Sequence, residues 1–525
     1  MIVSSFVKRS MRLTSSTPMT TSLNNLLART DRSAVNFFTK QSIAAFSTSL
    51  LSQIPKDVKK PRVLFLTNSH NGMSQRAKTM LEDNGFTVNV ELALSQKQMI
   101  KSADTLKPDI IICPFLTAKV PEVIWQNPDV PCVIVHPGVQ GDRGMSSIEW
   151  AMNGKNAFGL TCLSAVEEMD AGPVWATRVV EPSLDREDIP CSLTKSSMYK
   201  HEITDAAIDA ISETILNFMN KVAPIEVEES DPKTLGTLRD TMAAEEREID
   251  FMENSAAEIS KKIRMSDGQP GAKITLNNGE SFFAFDAHAD STRAHMNSPV
   301  IDIDSFKPGD IIAKRNKAVA VLCKDGGLVW VGHAKKGKKG IKLPATVCLE
   351  DNVANVPEWK LPSTDFMLKS TDNLWKKPID TYMENWTSTV DGICYVFFDV
   401  YNGAMDTETC NRIKKSIDNV AKRSDIDAIV LAGGYNSFSN GIHLNMIERV
   451  RSEGRCEQES WDNINAINDI VQSTFNIKDK VTISAIRGGA GAGGVMMALA
   501  ADAVWTHSNV VLNPHYLSMG LNGSE

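Results

Sequence analysis

A chain of 525 residues, 42% hydrophobic and 23% charged, has the composition of an ordinary folded protein and the length for about three or four domains. Its formal net charge of −8 argues against the basic footprint of a general nucleic-acid binder. Nine scattered cysteines without a CxxC argue against a disulfide framework or a zinc site, and no apolar run approaches the roughly 18 residues of a membrane span.

Residues 1–60 stand apart. They contain no glycine, are rich in Ser and Thr, and carry Lys8, Arg9, Arg12, Arg29, Arg32 and Lys40 against Asp31 as the sole acid of the first 50 positions. That composition reads as an organelle transit peptide, mitochondrial ahead of plastid. From Arg62 the pattern becomes alternating strands and helices. Val63–Leu66, Phe86–Val90, Asp109–Cys113 and Pro131–Val135 are short apolar runs, with a helix from Ser74 to about Asp83 and a long one from about Ser192 to Lys221. Continuous β-branched runs between helical segments predict an α/β unit with a doubly wound parallel sheet over 61–222. Val222–Asp240 is acidic and Pro-containing and reads as a linker.

Over 241–350, short strands punctuated by Gly, Asn and Asp turns predict a small OB-like β-barrel, with Lys335–Lys339 as a solvated basic loop. Residues 351–389 mix Pro357, Pro362 and Pro378 with Trp359, Trp375 and Trp386 and read as a second linker, pinned to a domain surface by its rings. A new α/β unit occupies 390–525. It opens at Ile393–Phe398 and ends on the Gly-rich run Gly488–Gly494, which leads into a helix. That run has a GxGxxG-like appearance, but no acidic residue follows at the spacing a ribose contact needs.

The chemistry concentrates between Val135 and Trp175. His136 ends a buried apolar run and is followed by the Gly/Asp/Arg loop GVQGDRG, and Asp170-Ala171-Gly172 forms a turn after the next strand. A histidine at a strand's carboxyl end, faced by an aspartate from a later strand, suits acid–base work on an acyl-transfer intermediate, since the carboxylate fixes the tautomer and supports the charged imidazole. The alternative is a core histidine satisfied by hydrogen bonds. Asn68 and His70, at the end of the first strand, suit ligand contact or helix capping equally.

Residues 61–350 resemble the N10-formyltetrahydrofolate-dependent formyltransferases. The resemblance rests on His136, Arg143-Gly144 and Asp170-Ala171-Gly172, and on Ile249–Ala272 as the start of the barrel that follows the catalytic domain in the transfer-RNA enzymes. It implies His136 and Asp170 as the catalytic pair. Asn68, His70, Arg143, Gly144, Glu167 and Gly172 would then cradle the folate. One position departs from that family: its catalytic asparagine, two residues before the histidine, is Ile134 here, and an apolar side chain cannot donate to an oxyanion.

Residues 390–525 resemble the crotonase (enoyl-CoA hydratase/isomerase) family through Phe438-Ser439-Asn440-Gly441-Ile442 and Ala492-Gly493-Gly494. By that match the N–H groups of Ile442 and Gly493 form an oxyanion hole for an acyl carbonyl. Met496 stands where a hydratase glutamate would, and His515 with Tyr516 are the proton-donor candidates. The stretch is shorter than a complete crotonase domain, so the expectation is an incomplete unit, from a truncated gene or a decaying domain.

A formyltransferase half before a crotonase half resembles the HypX/HoxX hydrogenase-maturation group, which the HPGxxGDRG and VLNPHY segments fit better than either parent family. The resemblance implies small-molecule substrates: formyl transfer from N10-formyltetrahydrofolate to coenzyme A, then carbon monoxide release from formyl-CoA for a nickel–iron hydrogenase. The alternatives are methionyl-tRNA formylation, with transfer RNA as partner, hydrolysis of formyltetrahydrofolate, or a folate- or CoA-binding protein without turnover. The sequence leaves open whether the protein is an oligomer.

Overall fold

The computed structural model describes residues 50–55, 57–181, 193–228, 230–290, 305–372, 374–507 and 509–514. Residues 1–49 of the expected leader, and the candidates His515 and Tyr516, lie outside these. The end of that leader is nonetheless part of the fold, because Leu51 is fully buried in the core of the first domain.

The first domain is a six-stranded sheet of β1 (Arg62–Thr67), β2 (Thr87–Leu92), β3 (Ile110–Phe115), β4 (Cys132–His136), β5 (Phe158–Ser164) and β6 (Val174–Val180), in the order β2-β1-β3-β4-β5-β6. β1 to β4 run parallel, as the apolar runs predict. β5 and β6 extend the sheet antiparallel. The Ala165–Pro173 loop is too short for the crossover of about a dozen residues that a parallel partner needs. Helices cover both faces. α1 (Gly72–Asp83) and α4 (Thr204–Met219) lie on one core with Phe65, Val133 and Val135, and α2 (Gln96–Leu106) lies on the other with Leu64, Leu66 and Ile111. Asn71 caps α1 by accepting from the Ser74 N–H at 3.1 Å. A short α3 (Ser147–Met152) lies between β4 and β5. The carboxyl ends of β1, β3 and β4 thus meet at one rim, the place where open α/β sheets bind ligands.

The second domain opens with α5 (Ala256–Met265) and holds an antiparallel sheet of β7 (Ala272–Thr275), β8 (Ser281–Asp290), β9 (Ile311–Arg315), β10 (Ala318–Leu322), β11 (Leu328–Lys335) and β12 (Leu343–Pro344). Its path is β7-β8-β11-β10-β9 with β12 on β11, and no pairing between β7 and β9 closes it into a barrel among the described residues. Lys335, expected in a solvated loop, is buried in β11 with its ammonium 5.3 Å from the Phe283 ring centre. The apolar stem and the ring face together accommodate it.

The segment 351–389 is more than a linker. Trp359 is buried with Trp330 and Tyr382, and Arg315 binds the stretch by donating to the carbonyls of Trp359 (2.7 Å) and Tyr382 (3.0 Å) and to Thr381 Oγ1 (3.0 Å). The same segment supplies β13 (Asp365–Met367) and begins β14 (Asn385–Val390), both strands of the third sheet. Its prolines break the period that would have identified those short strands.

The third domain continues with β15 (Ile393–Phe398), β16 (Ala404–Met405), α6 (Thr407–Ala421), β17 (Ala428–Gly433), β18 (Ser437–Ser439), β19 (Gly441–Ile442), α7 (Cys456–Phe475), β20 (Val481–Ile486), β21 (Gly489–Gly491), α8 (Gly493–Leu499), β22 (Ala503–Thr506) and β23 (Leu512–Asn513). Its main sheet has the order β13-β14-β15-β17-β20-β22, and β15, β17, β20 and β22 are parallel.

An ion pair joins the second and third domains. Asp406 caps α6 by accepting from the Thr409 N–H (2.9 Å), and it meets the ammonium of Lys317 from the β9–β10 turn at 2.8 Å. Burial pushes the Asp406 carboxyl up, but Lys317 and the cap outweigh it and hold the group at about 2. A carboxyl lowered in the folded state adds stability that is complete above its ordinary value and disappears as pH falls through the folded one. Asp406→Asn keeps a capping side chain and removes the charge. It should cost about 2 kcal/mol at neutral pH and flatten the stability loss between about pH 4 and pH 2, read by urea unfolding across pH.

Candidate active site

His136 is the last residue of β4, and its side chain is buried. Two carboxylates hold it. Nδ1 lies 3.4 Å from Asp170 Oδ2, which also accepts from the Gly144 N–H at 3.3 Å. Nε2 lies 2.8 Å from Asp142 Oδ1. Asp142 is itself 2% exposed and also accepts from Ser147 Oγ (2.5 Å) and the Asn156 amide. The predicted pair His136–Asp170 is therefore brought together across the β5–β6 turn, with Asp170 in the left-handed backbone region at φ 55°. Gly172 makes the turn possible, since a Cβ there would lie 1.9 Å from the Ser164 carbonyl oxygen.

Sequence reasoning missed Asp142, Ser147 and Asn156. The GDRG loop displayed the first, but nothing in a linear pattern says that this acid folds back onto His136 rather than into solvent.

The remaining predicted residues fall around this centre. Arg143 pairs with the exposed Glu168 at 2.9 Å, while Glu167 is exposed beside it. Asn68 ties the ends of β1 and β3 together: its N–H donates to the Phe115 carbonyl (2.7 Å) and its side-chain oxygen accepts from the Thr117 N–H (2.6 Å). His70 Nδ1 sits 3.0 Å from Ser74 Oγ, and burial, aided by Lys78, lowers its proton affinity. Both therefore have structural partners at the rim. Ile134 lies two residues before His136 on the same strand face, packed with the apolar core beneath, so an oxyanion donor has to come from elsewhere.

The stretch Val222–Asp240, read as a linker, is bound against the loop after β4 that carries Asp142. The Gly236 N–H donates to Gln140 O (2.9 Å), the Arg239 N–H to Arg143 O (3.3 Å), and the Met242 N–H to Ser146 Oγ (3.0 Å). A Cβ on Gly236 would lie 2.0 Å from the Asp142 backbone nitrogen, so the segment crosses the loop in direct contact.

In the third domain the two predicted oxyanion segments do meet. β19 places Gly441 (φ 82°) so that a Cβ there would be 3.1 Å from the Gly493 nitrogen, and Ile442 follows it. A Cβ on Gly494 would strike the Ser439 carbonyl at 2.0 Å. Ala492, between the glycines, has φ 46°. Met496 lies on α8, partly buried and without an ionisable group. Among the described residues no group of three or more His, Cys, Asp and Glu could hold a metal ion, and no helix is long and apolar enough to cross a membrane.

Three families match in order: formyl transferase over residues 50–200, the formyl transferase C-terminal domain over 241–348, and enoyl-CoA hydratase/isomerase over 389–522. The hydrogenase maturation factor HoxX of Bradyrhizobium diazoefficiens is 35% identical over 472 residues, which are 88% of this chain and 74% of that protein. The crystal structure of HypX from Aquifex aeolicus in complex with tetrahydrofolic acid aligns with a TM-score of 0.76 at 34% identity, over 88% of this chain and 75% of that one. A methionyl-tRNA formyltransferase of Thermotoga neapolitana is 27% identical over 271 residues, 51% of this chain and 76% of the enzyme. A formyl transferase domain and an enoyl-CoA hydratase-like domain on one chain, with this identity along nearly its whole length, place the protein in the HoxX/HypX family of hydrogenase maturation factors.

Proposed function

We propose that the first domain transfers the formyl group of N10-formyltetrahydrofolate to coenzyme A, and that the third releases carbon monoxide from the resulting formyl-CoA. The observation that carries the transfer step is His136, held at the carboxyl end of β4 by carboxylates on both ring nitrogens. Attack on the formyl carbon builds an oxyanion and requires a proton for the departing N10, and a buried, oriented imidazole supplies both charge and proton. Tetrahydrofolic acid in the Aquifex aeolicus relative supports a folate at this site. The match of the third domain to enoyl-CoA hydratase/isomerase favours coenzyme A over transfer RNA as the acceptor. Carbon monoxide made in this way would serve as a ligand for a hydrogenase under maturation.

His136→Ala should abolish transfer, by a factor of roughly a hundred or more, in a chain that still folds by circular dichroism but melts lower, because Asp142 and Asp170 lose their shared partner. Chromatography of folate and CoA products measures it, and full activity in the variant contradicts the assignment. Tetrahydrofolate and formate formed regardless of coenzyme A would identify a hydrolase instead.

The close approach of Gly441 to Gly493 would present the Ile442 and Gly493 N–H groups to a thioester carbonyl. Gly441→Ala strains a left-handed position and inserts a methyl between the two segments. It should remove carbon monoxide release from added formyl-CoA yet leave formyl transfer intact. Equal loss of both activities would mean the segments serve stability alone.

We infer a mitochondrial destination from the acid-poor, Arg- and Ser-containing leader. Fused to a fluorescent protein, residues 1–60 should direct it into mitochondria, and a diffuse cytosolic signal would refute this.

A further inference from the structure

Both segments of the candidate carbonyl hole are entered from the small parallel sheet β18-β21-β23, in which Ser437 pairs with Gly489 and Ala490 with Leu512. β18 leads into Gly441 and Ile442, and β21 into Gly493. Each strand of this sheet is preceded by a residue tied to the first domain, directly or through one neighbour. Tyr435, two residues before β18, is buried in the apolar core of the first domain. Its ring stacks on that of His201 with centres 4.0 Å apart, and its hydroxyl donates to Glu202 Oε1 at 3.3 Å. Arg487, two residues before β21, has its guanidinium carbon 5.6 Å from the Tyr435 ring centre and 4.3 Å from that of Trp375. Asn509, three residues before β23, donates to Asp205 Oδ1 at 3.0 Å, and the same oxygen meets Arg76 at 2.7 Å.

The backbone around these tethers is in direct contact. A Cβ on Gly488 would lie 2.4 Å from the Ser437 nitrogen and 2.6 Å from the Tyr435 carbonyl oxygen, so the entry to β21 rests on the entry to β18. Close packing of this kind passes a shift of Tyr435 on to both strands. On the first-domain side, His201 and Glu202 lie in the widened helical turn Tyr199–Ile203 that precedes α4. One extra residue in a turn re-aims its side chains, a device frequent at functional sites. The turn is anchored at the rim of the first sheet: Tyr199 Oη accepts from the Asn71 amide at 3.4 Å, and the Phe115 ring meets Tyr199 edge-on at 5.8 Å. A tyrosine that merely covered the seam could stand anywhere on it. Here all three tethers stand at strand entries of the one sheet that carries the hole.

We infer that Tyr435 is a positioning residue for the carbonyl hole of the third domain, held from the first domain by His201 and Glu202, so that the hole takes its geometry from the docking of the two domains. This rests on the reading of Ile442 and Gly493 as donors to a thioester carbonyl. Donors of that kind act by being fixed in advance where charge develops. A misplacement of about 1 Å at such a site costs on the order of a hundredfold in rate. His201 and Glu202 touch no reacting atom on this account. They act through Tyr435 alone.

Two measurements on the full-length chain test this. In amide hydrogen exchange read by mass spectrometry, His201→Ala and Tyr435→Leu should speed exchange several-fold in peptides covering 435–442 and 487–494, with peptides of α6 unchanged. His201→Phe, which restores a ring against Tyr435, should return the unaltered rates. In infrared spectra of bound acetyl-CoA labelled with carbon-13 at the thioester carbonyl, the unaltered chain should lower the carbonyl frequency below its value in water. His201→Ala and Tyr435→Leu should lose that shift and His201→Phe should keep it, while the Kd for acetyl-CoA changes no more than a few-fold. Should Tyr435→Leu fail to fold, the two His201 variants decide. Exchange unmoved by the substitutions, a carbonyl shift that survives them, or a His201→Phe that behaves as His201→Ala overturns the inference. An unaltered chain that leaves the carbonyl at its value in water would overturn the carbonyl-hole reading instead, and the exchange rates would still decide whether the first domain positions these segments.

Discussion

An imidazole gripped on both ring nitrogens by carboxylates constrains everything built around it. Asp142 arrives from the loop directly after β4 and Asp170 from the β5–β6 turn, so two backbone segments must close on one ring from opposite sides. Buried charges of this kind are tolerated only when each is paired and hydrogen-bonded. The loop accordingly devotes Ser147, Asn156 and the Gly144 N–H to the two carboxylates. Its glycines follow from the same demand: at 138 for the His136–Asp142 contact, at 141 and 144 for the chain that crosses above, and at 172 for the turn that presents Asp170.

The domains communicate through contacts of similar chemistry. The 222–240 segment binds the loop after β4 through backbone hydrogen bonds before the chain enters the second domain. Lys195 then joins Glu149 of α3 (3.0 Å) to the Gln269 carbonyl (2.5 Å) ahead of β7. Farther on, the half-buried Lys342 donates to Tyr401 Oη (2.7 Å), which donates to Asp267 (2.5 Å), and desolvation lowers that lysine to about 8. Tyr401 begins the short segment that pairs with β19, since β16 lies alongside Gly441 and Ile442. The second domain therefore contacts both of its neighbours, the first through the Gln269 carbonyl and the third through Lys342 and Lys317.

Much of this was legible in the sequence where one residue type admits one interpretation. Apolar β-branched runs gave β1, β3 and β4, and a histidine ending such a run located the site at the rim. The Asp170-Ala171-Gly172 turn after it supplied the aspartate that lies 3.4 Å from the ring. What stayed hidden depends on chain folding back on itself. Asp142 looked like one more loop acid, and the 222–240 and 351–389 stretches looked like linkers because their contacts are backbone hydrogen bonds and single buried tryptophans without a period. Ile134 was visible as a departure from the formyltransferase pattern, and the structure keeps it packed against the apolar core beneath the sheet.

We propose that a formyl group passes from folate to coenzyme A at His136. The most direct measurement supplies formyltetrahydrofolate carrying carbon-13 in the formyl group, together with coenzyme A, to the purified chain and follows the label by carbon-13 NMR. Label appearing first in a thioester formyl resonance and then in carbon monoxide is the result expected. Label found only in formate, at the same rate with and without coenzyme A, would contradict it.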